Sequence, residues 1–95
     1  YYNYLFHFTE LPIKSLLCNA VSSAYQDKTI IIAESREGVY FLSARRQDKK
    51  VRVNELLQKL VSGFGGASAG GHGSAAGGYI SVKDSEKFKN RLKNI

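Results

Sequence analysis

The chain has 95 residues, of which 43% are hydrophobic, 12% aromatic and 23% charged, and its net charge is +6. This length excludes two domains and disfavours a sealed multi-step active site, because a chain of this size buries only roughly 60 to 65% of its unfolded surface. No apolar run approaches the roughly 20 residues of a membrane-spanning helix. We therefore expect one domain with an open groove and no membrane segment.

Positive charge is concentrated in the second half of the chain. Residues 45–59 carry six basic and two acidic side chains, and residues 83–93 carry five and two. Such clusters are typical of surfaces that bind phosphates, since Lys and Arg neutralise phosphates and release counterions. A well-solvated face explains the charge alone equally well.

Both chain ends indicate a piece of a longer protein. The sequence starts at Tyr1 without Met or a signal peptide, and it ends in a predicted helix at Ile95. The single cysteine, Cys18, cannot form an internal disulfide, which fits a reducing compartment. We expect a cytoplasmic location.

The first half of the chain predicts a strand, a helix and a hairpin. Residues Tyr1–Thr9 alternate as a strand that buries Tyr2, Tyr4, Phe6 and Phe8 and places His7 opposite. Residues Pro12–Gln26 have helical spacing in their apolar stripe of Ile13, Leu16, Leu17, Ala20, Val21 and Ala24, which leaves Cys18 outside it. The runs Lys28–Glu34 and Val39–Arg45 are strands joined by a short turn.

The second half predicts two further helices around a glycine-rich loop. The helix Val53–Phe64 has the apolar stripe Val53, Leu56, Leu57, Leu60, Val61 and Phe64. After the loop, Tyr79–Val82 is a short strand and Asp84 caps a terminal helix with apolar Phe88, Leu92 and Ile95. The fold class is therefore α+β, a mixed sheet with helices packed on it, in the order β-α-β-β-α-(glycine-rich loop)-β-α.

Residues 64–78 hold seven of the nine glycines and are the segment with chemical character. Successive glycine amides form concave nests for anions such as phosphate, although a flexible linker has a similar composition. A histidine flanked by glycines, His72, and the small pair Ala75-Ala76 further along favour the nest. Dinucleotide-binding, Walker and KH glycine motifs are excluded, because each needs flanking helices or a lysine tail that this sequence lacks.

The same segment resembles a known family. The run Gly70-Gly71-His72-Gly73-Ser74-Ala75-Ala76-Gly77, preceded by Phe64-Gly65-Gly66, is similar to the signature of the DHH-associated domain of the first type. Upstream, Leu42–Arg45 resembles the Ser-x-Arg strand end of that family. This domain is the C-terminal half of DHH-family phosphoesterases, which include RecJ-like exonucleases, nanoRNases and cyclic-dinucleotide phosphodiesterases. Two departures are the inserted residues 67–69 and the pair Gly73-Ser74.

The resemblance implies a substrate-binding domain without catalytic residues of its own. Its implied substrate-binding residues are Arg45, Gly70, Gly71, His72, Gly73 and Ser74. It implies no cofactor here, because two divalent metals, usually manganese, belong to an absent N-terminal catalytic domain. The implied partners are single-stranded nucleic acid, a short oligonucleotide or a cyclic dinucleotide, together with that catalytic domain of the same chain, and no membrane.

Other interpretations stay open from the residues alone. Without the resemblance, a solvated charge at a strand end is the preferred explanation of Arg45, and a hydrogen bond that stabilises its own loop is the alternative for His72. A non-enzymatic nucleic-acid-binding module, such as the related C-terminal domain of alanyl-tRNA synthetases, is the main alternative function. A protein-interaction domain is a third.

Overall fold

The computed structural model describes residues 4–10 and 14–94, apart from the side chains of Tyr4, Leu5, Phe8 and Lys14. It contains five strands and three helices within these ranges. In chain order they are β1 (Tyr4–Thr9), α1 (Lys14–Ala24), β2 (Thr29–Arg36), β3 (Val39–Arg45), α2 (Val53–Val61), β4 (Ser68–Gly71), β5 (Ala75–Ser81) and α3 (Ser85–Lys93), with a 3-10 turn at Val82–Asp84 before α3.

The strands form one mixed sheet in the order β1-β2-β3-β5-β4. β1 and β2 are parallel and are connected through α1, while every other neighbouring pair is antiparallel. The expected mixed sheet with helices packed on it is confirmed. No helix in the described ranges has the length and apolar character needed to cross a bilayer.

The two faces of the sheet are covered differently. α2 and α3 pack on one face, where Ile31, Leu42, Leu57, Leu60 and Phe88 are almost completely buried. The predicted stripe of α2 is confirmed, since all five of its helical members are buried and Phe64 packs against them. α1 packs on the other face over β2 and β3. β2 is buried on both faces, as its continuous β-branched run predicts.

β2 and β3 form the expected hairpin. Arg36 pairs with Val39, so only Glu37 and Gly38 form the loop. Both have positive φ, 50° and 80°, which is the type I′ geometry that matches the twist of the strands. This turn fixes the register that places Arg45 opposite Ile30.

The prediction that residues 64–78 form no regular element is wrong. Ser68–Gly71 is strand β4, and β5 begins at Ala75 rather than at Tyr79. The small residues pair because β3 supplies the hydrogen-bonding partner for β5, and β5 then supplies one for β4. Ala69 and Ala76 pack beneath α2, where larger side chains would hold the helix away from the sheet.

The predicted stripe of α1 is rotated from its real contact face. Cys18 and Ser22 are completely buried, whereas Leu16 is 72% exposed and Ala20 is exposed. Apolar residues lie around much of this helix, so packing against β2 decides which of them are buried. Cys18 is therefore a core residue, with its thiol 3.6 Å from the carbonyl oxygens of Ile30 and Ser43.

The remaining predictions concern the two faces of β1 and the residue that precedes α3. Phe6 packs in the core, with its ring centroid 5.9 Å from that of Phe88, and His7 is exposed on the opposite side. Asp84 precedes α3 as predicted but makes no side-chain capping bond. Predictions for Tyr2, Pro12, Ile13 and Ile95, and for the side chains of Tyr4 and Phe8, lie outside the described part of the structure.

Candidate functional site

One half of the α1 face of the sheet stays open. Residues opposite each other in the ladder point to the same face, so register assigns three rows to this surface. From one end to the other, the rows are Arg45 and Ala75, then Ser43, Gly77 and Gly70, then Phe41, Tyr79 and Ser68. The middle row has only one side chain, that of Ser43, because its other members are glycines. This face of the sheet therefore forms a trough with Arg45 at one end and two aromatic rings at the other.

The trough corresponds to an open groove of about 340 Å³. Ser15 of α1 lines one side, and β3, β5 and Gly71 of β4 form the rest. Gly77 lies on its floor, where an added Cβ would come 3.2 Å from the carbonyl oxygen of Leu42. A ligand in the groove therefore meets backbone rather than side chains on the floor.

Arg45 is held in place at the end of the groove. Its Nε donates to Oδ1 of Asn19 at 2.9 Å, and its Nη1 donates to the carbonyl oxygen of Ala44 at 2.8 Å. Its Nη2 makes no hydrogen bond among the described residues. A fixed guanidinium with unused donors is suited to binding a phosphate or carboxylate.

The residues His72–Ser74 form the turn between β4 and β5, and three backbone hydrogen bonds fix it. The His72 amide donates to the carbonyl oxygen of Ala75 at 2.7 Å. The carbonyl oxygens of Gly73 and Ser74 accept from the amides of Val53, at 2.9 Å, and Arg46, at 3.0 Å. The His72 side chain is exposed. Because the His72 amide is already bonded, only its imidazole can donate to a ligand.

The structure brings Arg45 and His72 to the same end of the groove. Arg45 is the ladder partner of Ala75, and Ala75 accepts the His72 amide. Gly70 and Gly71 lie in the edge strand β4, opposite Gly77 and Ala76, rather than in a loop. Gly71 has φ of +134°, and a Cβ there would lie 2.7 Å from the carbonyl oxygen of Ala75. Only glycine fits this position without displacing the strand pair.

A basic surface borders the turn on its outer side. Lys49 and Arg52 line a shallow depression of about 220 Å³ together with Gly73 and Ser74. Lys50 is also exposed nearby, and Arg52 forms an ion pair with Glu55 of α2.

Arg46 is mostly buried beneath this surface, where it stabilises the fold. It is 6% exposed, and its Nε and Nη2 donate to the two carboxylate oxygens of Asp48 at 2.7 and 3.2 Å. Its Nη1 donates to Oγ1 of Thr29 at 3.2 Å. The Arg46 guanidinium and the Lys50 amide together hold the pKa of Asp48 below its ordinary value. This network anchors the segment that carries Lys49 and Lys50.

The sequence predictions missed Asn19 and Gly77 as groove residues. The alternation of β3 already placed Phe41 and Ser43 on the Arg45 side, so that part of the groove had a signal in the sequence. Asn19 had none, because its position follows from the rotation of α1.

The described residues offer no ligand set for the two metals that the resemblance implies. No group of three or more His, Cys, Asp or Glu side chains comes together within residues 4–10 and 14–94. The chemistry available in the groove is anion binding by a guanidinium, an imidazole and strand backbone.

The groove on this small mixed sheet ends in a cation and suits an anionic ligand. The family model of the DHHA1 domain matches residues 4–95. The chain therefore belongs to the DHHA1 family, whose members accompany DHH phosphoesterases. No curated protein matches the chain in sequence.

Solved structures share the fold at low sequence identity. The C-Ala domain of alanyl-tRNA synthetase from Aquifex aeolicus has a TM-score of 0.76 at 16% identity, covering 97% of this chain and 86% of that one. The pGpG-specific phosphodiesterase PggH from Vibrio cholerae has a TM-score of 0.63 at 14% identity, with 97% of this chain covered. This chain spans only 32% of that phosphodiesterase. At these identities the likeness concerns the fold alone.

Proposed function

We propose that this chain is the substrate-binding domain of a DHH-family phosphoesterase. In this proposal, residues 1–95 form one domain of a longer protein, and a separate N-terminal domain holds the metals and performs the hydrolysis. The groove binds a phosphate of single-stranded nucleic acid, a short oligonucleotide or a cyclic dinucleotide. The binding residues are Arg45, Gly70, Gly71, His72, Gly73 and Ser74.

The placement of Arg45 is the observation that carries this proposal. Its guanidinium lies at the end of a trough whose middle row has no large side chain, and its bond to Asn19 fixes it there before any ligand arrives. Holding a charged donor in advance reduces the entropy that binding would otherwise cost. A solvated surface arginine would have neither the trough nor the fixed partner.

His72 supplements Arg45 at the same end. Either ring nitrogen can donate to a phosphate oxygen, and protonation of the ring strengthens that bond. Lys49, Lys50 and Arg52 add attraction for neighbouring phosphates along the strand. Gly70 and Gly71 let the substrate approach the backbone of β4.

A second candidate function is a tRNA-binding module without enzymatic activity. It is favoured by the likeness in fold to the C-Ala domain, of which this chain covers 86%. The groove would then bind a phosphate of a structured RNA instead of a short strand. The two candidates differ in the ligand and in what precedes the domain in its parent protein.

An NMR titration of the uniformly ¹⁵N-labelled 95-residue chain tests the proposal. The probes are pentathymidylate, pGpG and an unfractionated tRNA, each added at low salt. We expect pentathymidylate or pGpG to shift the amide signals of Arg45, His72 and Ser74 most strongly, and Arg45→Ala to abolish most of that response. Lys87→Ala is the control, since it removes one exposed charge from α3 on the opposite side of the sheet.

Two outcomes would overturn the proposal. Equal losses in Arg45→Ala and Lys87→Ala would mean that charge acts without a defined site. Shifts induced by tRNA alone would favour the second candidate. Gene sequence upstream of Tyr1 adds an independent criterion, because a domain with acidic and histidine metal motifs is expected there.

A further inference from the structure

The open sheet face carries a pair of aromatic rings that the phosphate site does not use. Phe41 of β3 and Tyr79 of β5 are direct ladder partners, and their ring centroids are 6.4 Å apart at an angle of 51°. Tyr79 is 43% exposed, because it points to the open face while its neighbour Ile80 points into the core beneath α2. An exposed ring on an uncovered sheet is available to a flat ligand.

Neighbouring charged groups hold Phe41 in its place. The guanidinium carbon of Arg36 lies 4.7 Å from the centroid of the Phe41 ring, a cation–π contact. Arg36 is fixed in turn by Glu34, a buried carboxylate that accepts from its Nε at 3.1 Å. The side of Phe41 away from Tyr79 is therefore occupied by a cation, and the ring exposed next to the groove is that of Tyr79.

The rings and Arg45 belong to one continuous surface. Phe41, Ser43 and Arg45 alternate along the same face of β3, and the groove reaches from Arg45 to Phe41. The Cα atoms of Phe41 and Arg45 are about 13 Å apart, from four residues of strand rise. Ser43 lies between them on β3, with Gly77 and Gly70 beside it on β5 and β4, so this middle row carries no side chain larger than that of serine.

We propose that Tyr79, supported by Phe41, stacks against a nucleobase of the ligand whose phosphate lies at Arg45. This inference rests on the proposed function and specifies its substrate class as an unpaired, base-bearing nucleotide. Arg36 and Arg45 flank the rings, and this combination of rings with cations suits a base attached to phosphates. A duplex is excluded as the ligand, because its bases are already stacked and paired.

A binding cycle with an abasic strand tests the inference on the 95-residue chain. Affinities for pentathymidylate, and for the same strand with abasic residues throughout, are measured by NMR titration for the unmodified chain, Tyr79→Ala and Tyr79→Phe. Stacking on one aromatic side chain predicts a loss of about 5-fold or more in Tyr79→Ala for the base-bearing strand. The abasic strand is expected to bind equally to all three proteins, and Tyr79→Phe is expected to keep the affinity for pentathymidylate.

Tyr25→Ala is the matched control, since Tyr25 is 48% exposed at the far end of α1 and belongs to no ring pair on the open face. It is expected to bind both strands normally. Thermal unfolding of each variant confirms that the strand β5 is intact.

The outcomes separate the two levels of the proposal. If Arg45→Ala abolishes binding while Tyr79→Ala and the abasic strand change nothing, the phosphate site stands and the stacking inference is wrong. If no strand binds in a manner that depends on Arg45, the proposed function fails and the inference fails with it. If Tyr79→Ala leaves affinity intact but lowers the melting temperature of the longer parent protein, the rings contact a second protein domain instead of a base.

Discussion

The guanidinium of Arg45 and the side-chain amide of Asn19 are joined by a 2.9 Å hydrogen bond between Nε and Oδ1. This bond links the end of β3 to the middle of α1, and the two bonded residues are 26 positions apart in the sequence. Asn19 can hold Arg45 only because α1 turns its Cys18 side toward the sheet. The orientation of α1 therefore determines the position of the main anion-binding group.

The first prediction concerns the energetic coupling of Arg45 and His72. Each substitution by alanine should weaken binding of pentathymidylate by about 1 to 3 kcal/mol, which is the free energy typically lost when a hydrogen bond to a charged group is removed. The double variant should lose less than the two single losses added together, because both residues adjoin Ala75 through the backbone and would share one phosphate. Titrations of the four proteins measure the coupling. In an active longer protein, both variants should raise KM more than they lower kcat.

Strict additivity in that cycle would mean that Arg45 and His72 bind separate groups. Unchanged affinity in both single variants, with normal thermal unfolding, would remove them from the site altogether.

The second prediction is a dependence of affinity on salt. Exposed Lys49 and Lys50 should neutralise phosphates beside the His72–Ser74 turn, so the logarithm of the binding constant should fall linearly with the logarithm of salt concentration. For a single strand the slope is about −0.7 per phosphate, and we expect a few phosphates and a Kd of roughly 10⁻⁴ to 10⁻⁶ M at physiological salt. Replacing both lysines by alanine should reduce the slope, whereas Lys87→Ala should leave it unchanged. A slope near zero would argue against an electrostatic site.

The third prediction concerns acid stability of the segment that carries these lysines. Arg46 and the Lys50 amide lower the pKa of Asp48 from its ordinary 3.8, so the folded state binds this proton less tightly than the unfolded state. The resulting stabilisation is present above about pH 4 and is lost as the pH falls through the lowered folded-state value. Asp48→Asn should flatten the decline in unfolding free energy below pH 4, measured by urea unfolding. Asp27→Asn, at an exposed aspartate, is the control and should retain the decline of the unmodified chain.

The sequence predicted the parts of the fold whose side chains carry a strong pattern. β2 has six consecutive buried residues from Thr29, and α2 has a single apolar stripe, so each element can pack against the rest of the fold in only one way. β4 has no such pattern, because Ser-Ala-Gly-Gly has neither β-branched residues nor alternation. β4 is a strand because its backbone pairs with that of β5. The local sequence of β4 does not encode this pairing.

The same distinction applies to the candidate site. Arg45 and His72 were found through motif and strand alternation, and the structure brings them to one end of the groove. Asn19 was not found, since the apolar residues of α1 allowed more than one orientation and packing against β2 selected one that exposes Leu16. An open groove was expected from the length of the chain, but its place on the sheet was not, because that place depends on α1 covering β2 and β3 and leaving β5 and β4 uncovered.

The fourth prediction is that the 95-residue chain alone does not hydrolyse phosphodiesters. The described residues bring together no three potential metal ligands, so they cannot hold the ions that would generate hydroxide. Chromatography of pentathymidylate and pGpG after incubation with and without manganese should show no product. The parent protein with its N-terminal domain is the positive control. Turnover that accompanies the chain through successive purification steps would contradict the prediction.

The final prediction separates two adjacent glycines of β4 by what each one does. A Cβ at Gly71 would lie 2.7 Å from two backbone atoms of β5, and its φ of +134° is unfavourable for any other residue. Gly71→Ala should therefore destabilise the fold by about 1 to 3 kcal/mol, measured by urea unfolding. At Gly70, which faces the trough, an added Cβ meets nothing within 4 Å. Gly70→Val should change stability by less than about 0.5 kcal/mol.

The two substitutions should act differently on binding. Gly70→Val places a branched side chain on the edge strand beside Gly77, in the middle row of the open face, so it should weaken pentathymidylate binding in a protein that folds normally. Gly71→Ala should weaken binding only as far as it unfolds β4, and conditions that restore folding should restore affinity. A Gly70→Val protein with normal stability and unchanged affinity would mean that the ligand does not lie along the trough, because a valine side chain there would stand in its path.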